Sequence, residues 1–132
     1  MIFDRNDLHE LISLLRFHFD ALAHDNSASS ATIERMAVSH NNRDGSDCTP
    51  SATVLNGVQE VSKFNRSTPD RVQIYMALFR VDWKNADLVV TFNVPTSTTE
   101  GDGVTQEQLE AARADFDTFI LSLTIVDDGL FA

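Results

Sequence analysis

Two runs, VQIYMALFRV (Val72 to Val81) and DLVVTFNVP (Asp87 to Pro95), decide the fold of this 132-residue chain. In the first, Val72, Ile74, Met76 and Leu78 fall on one side of an extended strand. Gln73, Tyr75, Ala77 and Phe79 fall on the other, so both faces are largely apolar and the strand belongs inside a sheet. Asp82 to Ala86 is polar and of hairpin length. Leu88, Val90, Phe92 and Val94 alternate in the second run. Pro95 lacks a ladder donor and is expected to end that strand.

Upstream, Asp7 is placed to cap a helix whose third residue is Glu10, in the manner of a capping box. Leu8, Leu11, Ile12 and Leu15 form its apolar stripe and leave Glu10 and Ser13 on the other side. Arg16 to Leu22 reads as a strand, with helix as the alternative. Ser27 to Ser30 reads as a turn and Thr32 to Ser39 as a strand. HNNRDGSDCTPS (His40 to Ser51) is rich in turn formers and reads as a mobile loop. Ala52 to Lys63 reads as a strand, bent or bulged at Gly57, and Phe64 to Asp70 as a loop.

Downstream, Thr96 to Val104 is a linker, and its Gly101-Asp102-Gly103 is too short and acidic to cradle phosphate. Thr105 caps a long helix, and Gln108 completes a capping box. Leu109, Ala112, Phe116, Phe119, Ile120 and Leu123 fall on one apolar face, with Glu107, Glu110, Asp115 and Asp117 outside it. The fold class these elements predict is α+β, a central, mainly antiparallel sheet flanked by helices, in a single domain spanning residues 1–132.

Composition narrows function by exclusion. Twenty acidic against ten basic residues give a net charge of −10, which disfavours nucleic acid and anionic membranes as partners. A basic protein surface is compatible with it. No apolar run approaches the ~20 residues of a membrane span, and no signal peptide is visible. The single cysteine, Cys48, rules out an internal disulfide and points to a reducing compartment, cytosol or nucleus. It lies between Asp47 and Thr49, and an acidic neighbour raises a thiol pKa and gives no reason to expect reactivity. There is no Walker loop, nucleophile elbow, His-Glu-x-x-His or usefully spaced Cys-His pair. His9, His18, His24 and His40 read as surface or loop residues, and Asp127-Asp128 as a solvated terminal turn. No catalytic residue, metal or cofactor is expected.

Four blocks together resemble the Mog-type family of Ran guanine nucleotide release factors. They are FHFDALAHDN (Phe17 to Asn26), VLNGVQEVSK (Val54 to Lys63), Phe79-Arg80 with Asp87-Leu88-Val89 through Asn93-Val94-Pro95, and the ending SLTIVDDGLFA (Ser122 to Ala132). In the last, Ile125, Asp127 and Phe131 match the family's terminal pattern. Specificity lies in the combination, since no single block is a catalytic signature. The resemblance implies an antiparallel sheet flanked by helices (Mog/PsbP-like) and a partner, the small GTPase Ran. It implies release of guanine nucleotide without bond chemistry, in support of nuclear transport, and hence residence in nucleus and cytoplasm. It also implies that acids on and before the first helix contact Ran. Here those positions are Asp7, Glu10 and Asp20, with Ser13 where the family's acid-x-x-acid pattern has its second acid.

The chain begins about where a Gly-Gly-containing strand and an acidic segment of the family pattern end. The resemblance therefore implies a sheet lacking that strand, with an exposed edge that invites self-association. Two other classes stand beside Ran release. One is an interaction module of the same fold without release activity. The other is a small-molecule-binding or hydrolytic domain with a pocket under the His40 to Ser51 loop.

Overall fold

Helix α1 (Arg5–Asp25) leads into strands β1 (Ala28–Ser39), β2 (Ala52–Val61), β3 (Asp70–Val81) and β4 (Ala86–Ser97), and helix α2 (Gln106–Ser122) follows. The computed structural model describes residues 5–40, 49–62, 69–81, 85–97, 101 and 103–125. The strands form one sheet in the order β1-β2-β3-β4, every neighbouring pair antiparallel. The α+β class read from the sequence is therefore the observed one.

Strand β3 is interior, as its two-sided apolar pattern requires. Ile74, Met76 and Leu78 join Leu11, Leu15 and Phe19 of α1 and Leu55 of β2 in one buried cluster. Tyr75, Ala77 and Phe79 join Phe116 and Ile120 of α2, with Ala52 and Val94, in the other. The two helices thus pack on opposite faces. Helix α1 lies over β1, β2 and β3, whereas α2 lies chiefly over β3 and β4.

Residues Arg16 to Leu22 are helical, which corrects the strand reading. Phe17-His18-Phe19-Asp20 alternates like a strand, but burial follows the helical period. Leu11, Leu15 and Phe19 are buried at four-residue spacing, with Leu22 packed beside them. The helix also begins two residues before Asp7, so Asp7 lies within its first turn and not at the cap. The Asp7 side chain lies outside the described residues.

Other boundaries moved for local reasons. Asn26-Ser27 is the turn, with Ser27 in the left-handed region at φ 53°, and β1 starts at Ala28. The irregularity expected at Gly57 lies across the ladder from it. Ile33 pairs with Gly57 and Arg35 with Asn56, so the extra residue is Glu34, on β1. Pro95 does not end β4: the strand runs to Ser97, because among the described residues β4 is an edge strand, where a missing donor leaves no neighbour unsatisfied. The Pro95 carbonyl accepts the Val104 N–H at 2.9 Å and draws the approach to α2 onto the sheet.

The capping box of α2 forms as read. Gln108 N–H donates to Thr105 Oγ1 at 3.1 Å, and Thr105 N–H donates to Gln108 Oε1 at 2.9 Å. Of its expected apolar face, Phe116 and Ile120 are buried and Leu109, Ala112 and Leu123 are half-buried. Phe119 is exposed at the margin, its ring 6.0 Å from Phe92. Cys48, the Asp127-Asp128 pair, Phe131 and most of the His40 to Ser51, Phe64 to Asp70 and Asp82 to Ala86 segments lie outside the described residues.

Candidate functional site

The outer face of α1 is built by spacing alone. Glu10, Ser13, Phe17, Asp20 and His24 recur at intervals of three and four, which sets them on one side of a helix. All five are exposed, opposite the buried Leu11, Leu15 and Phe19. Three of the expected partner-binding positions, Glu10, Ser13 and Asp20, are therefore brought onto one surface.

Phe17 sits in the middle of that surface with 64% of its area exposed. Among the described residues the only ring it meets is its neighbour His18, edge-on at 5.7 Å between centroids. Sequence reasoning did not single it out. A strand would set Phe17 and Phe19 on the same face, whereas a helix separates them by two residues and sends one inward and one outward. The signal that finds it is the three-four spacing with Glu10, Ser13 and Asp20.

Glu10 does not project freely. Its carboxylate lies 3.2 Å from the Arg80 guanidinium, while its side chain keeps 60% exposure. Arg80 is also forked by Asp87, its partner across the β3–β4 ladder, with Nε donating to Oδ1 at 3.0 Å and an Nη to Oδ2 at 3.4 Å. Hydrogen bonding to Asp87 is the main reason the Arg80 pKa lies above its ordinary value. Partial burial opposes that rise, and Glu10 adds to it. The three residues border a small cleft of about 140 Å³ with Val81, Asn85 and Ala86. The first helix is thereby tied by charge to the end of the β3–β4 hairpin.

A second grip holds α1 at its middle. The Gln59 side chain, fully buried, donates from Nε2 to the Phe19 carbonyl at 3.2 Å. Gly57, two residues before it on β2, lets the Phe19 ring lie directly on the sheet. Leu55, Gly57 and Gln59 all face α1, so this side of β2 is a packing surface for that helix. Among the described residues no three His, Cys, Asp or Glu side chains are grouped to hold a metal ion, and no helix is long and apolar enough to cross a membrane. His40 is exposed at the end of β1, and the pocket expected beneath the loop it opens falls mostly on residues outside those described.

The elements that carry this arrangement, α1 through β4, coincide with a match to a family described as "Ran-interacting Mog1 protein", over residues 2–95. The chain belongs to the Mog1 family. A relative from Danio rerio, named Ran guanine nucleotide release factor, is 31% identical over 123 residues, covering 88% of this chain and 67% of that protein. One from Dictyostelium discoideum, named probable ran guanine nucleotide release factor, is 28% identical over 151 aligned residues, covering 99% and 74%. A Homo sapiens protein named Ran guanine nucleotide release factor is 32% identical over 83 residues, covering 61% of this chain and 44% of its own. No solved structure matches significantly. The Mog1 match ends at Pro95, before α2.

Within this Mog1-family chain, the residues behind the resemblance are mostly structural. Gly57, Gln59 and Phe19 lock α1 to the sheet, and Arg80 and Asp87 bond across the hairpin.

Proposed function

We propose that this Mog1-family protein binds the small GTPase Ran through the outer face of α1 and promotes loss of its guanine nucleotide. In this reading it regulates a GTPase, is not itself a catalyst of bond chemistry, and supports nuclear transport from the nucleus and cytoplasm. The observation that carries the reading is the family match from residue 2 to residue 95, which includes all of α1. The names of the relatives and the net charge of −10 agree with it.

The mechanism is differential binding. A partner that favours the opened, nucleotide-free GTPase lowers its affinity for nucleotide by the same factor. Carboxylates suit this role because they compete for the cations that hold phosphate groups. Glu10 and Asp20 supply them here, and Phe17 between them supplies an aromatic anchor of the kind that dominates interface energetics. Asp7 is placed in the first turn of the same helix.

Binding without release is the second reading, and two observations favour it. Glu10 is already engaged by Arg80, and Ser13 stands where a second acid is expected. Loss of a fluorescent guanine nucleotide from loaded Ran, measured with and without the protein, separates the two. Acceleration supports release, binding without acceleration supports the inert module, and no binding removes Ran as the partner.

A further inference from the structure

Helix α2 lies chiefly over β3 and β4, so the same face of β1 and β2 forms one wall of an open cleft whose other wall is the helix. The cleft has a volume of about 290 Å³. Arg35 enters it from β1 and Arg113 from α2, while Val54, Phe116 and Leu121 give it an apolar floor and rim. Asn56, the ladder partner of Arg35, adds an amide.

Neither guanidinium has a hydrogen bond or ion pair among the described residues, although the chain holds twice as many acids as bases. Arg80, by contrast, is held by two carboxylates. Arg35 is turned toward the cleft because Glu34 is the extra residue of the bulge, which sets both on the α2 side. Glu34 is itself occupied, accepting the Gln73 amide at 2.8 Å. Among the described residues, Asp117, one turn beyond Arg113, is the one carboxylate lining the cleft, so the described lining carries two positive charges against one negative.

We propose that this cleft binds a small organic anion with an apolar body, a carboxylate or a phosphate monoester. The anionic head sits between Arg35 and Arg113, whose planar forks match either group, and the body lies on Val54, Phe116 and Leu121. The volume lies near the lower limit of small-ligand pockets, so a nucleoside triphosphate is too large and an amino-acid-sized ligand fits. The site is on the opposite face of the sheet from α1 and is independent of the Ran reading.

The test is titration of the full 15N-labelled chain with 1-naphthyl phosphate and 1-naphthoate, followed by amide shifts and calorimetry. Neutral 1-naphthol and inorganic phosphate are run alongside. Saturable shifts at Ala37, Val54, Asn56 and Asp117, with affinity reduced at least tenfold in both Arg35→Gln and Arg113→Gln, are expected. Arg71→Gln, outside the cleft, should bind as wild type. The better of the two aromatic anions assigns the head group. Naphthol binding as tightly as the anions, inorganic phosphate binding as tightly as its ester, or no shift at the cleft with millimolar probe would each overturn the proposal. Both arginines are exposed, and retained spectral dispersion in each variant separates lost binding from lost fold. Ran takes no part in the measurement, so its outcome is read apart from the release assay.

Discussion

The Phe19 ring lies so close over Gly57 that a methyl group on the glycine would stand 2.7 Å from its edge and 2.8 Å from the Thr32 carbonyl oxygen. The ring belongs to the buried cluster beneath α1 and the carbonyl to β1, so neither can retreat cheaply. Gly57→Ala should therefore destabilise the fold by about 1–3 kcal/mol through overpacking. Urea unfolding gives the value, and an unchanged midpoint would show that α1 shifts freely on the sheet.

Phe116 is the corresponding anchor on the other face, 1% exposed, with Phe92 at 4.9 Å and Tyr75 at 5.7 Å between ring centroids. Phe116→Ala should cost on the order of 3–5 kcal/mol. Phe119→Ala, one turn further and at the margin, should cost clearly less in the same unfolding experiment.

Partner binding can be separated from folding on the outer face of α1. Phe17→Ala should change stability by less than about 0.5 kcal/mol, because the ring is already in solvent. It should weaken Ran binding by about 2 kcal/mol or more if the ring is an anchor. Asp20→Lys should act mainly on the association rate, which should also slow with salt as charges beyond ~8–10 Å are screened. Glu110→Arg on α2 is the control. Stopped-flow binding that treats Phe17→Ala and Glu110→Arg alike would remove this face from the interface.

Glu10 needs a paired design because it answers to Arg80. Its exposed ion pair is worth only about 0.2–1 kcal/mol to the fold, so Glu10→Gln should leave stability nearly unchanged. If Glu10 must leave Arg80 to meet Ran, Arg80→Gln should free it and speed nucleotide release while slightly loosening the hairpin. Ser13→Glu, which supplies the second acid, should add to that gain. Release rates for the two single variants and their combination decide the matter, and slower release with Arg80→Gln would mean the triad positions Glu10 for contact.

Tyr75 offers a pH-dependent readout. Burial raises its phenol pKa above 10.0, Arg113 opposes the rise, and Glu34 and Asp117 add to it. Below the unfolded value the group is neutral in both states and its contribution to stability is intact. Above that value the unfolded chain loses the proton first, so stability falls until the folded pKa is passed. Tyr75→Phe should flatten this alkaline decline. Tyr75 is the single tyrosine, so the ultraviolet phenolate band follows it alone.

The strands were legible because each needs only period two, and β3 announced its central place by being apolar on both sides. The first helix was half legible: Leu8 to Leu15 carry a helical stripe, but Phe17-His18-Phe19-Asp20 satisfies both periods until the cluster around Phe19 decides. Glu34 as the bulged residue could not be read, because nothing local marks which of two paired strands takes the extra residue. The candidate site divides in the same way. Glu10, Ser13 and Asp20 follow from helix spacing once the helix is known to continue. The bond from Glu10 to Arg80 depends on how α1 docks across the sheet, which sequence spacing does not encode. The pairing of Arg35 with Arg113 across a cleft depends likewise on how far α2 leaves β1 and β2 uncovered.

Both helices pack against β3, one from each side. Opening of α2 releases Tyr75, Ala77 and Phe79 but leaves Ile74, Met76 and Leu78 fastened beneath α1, and the reverse opening does the opposite. Solvent therefore gains full access to that strand only when both layers lift together, which sets its amide protons to exchange last. The margins of the sheet, each under one helix, can breathe on separate clocks without unthreading the middle.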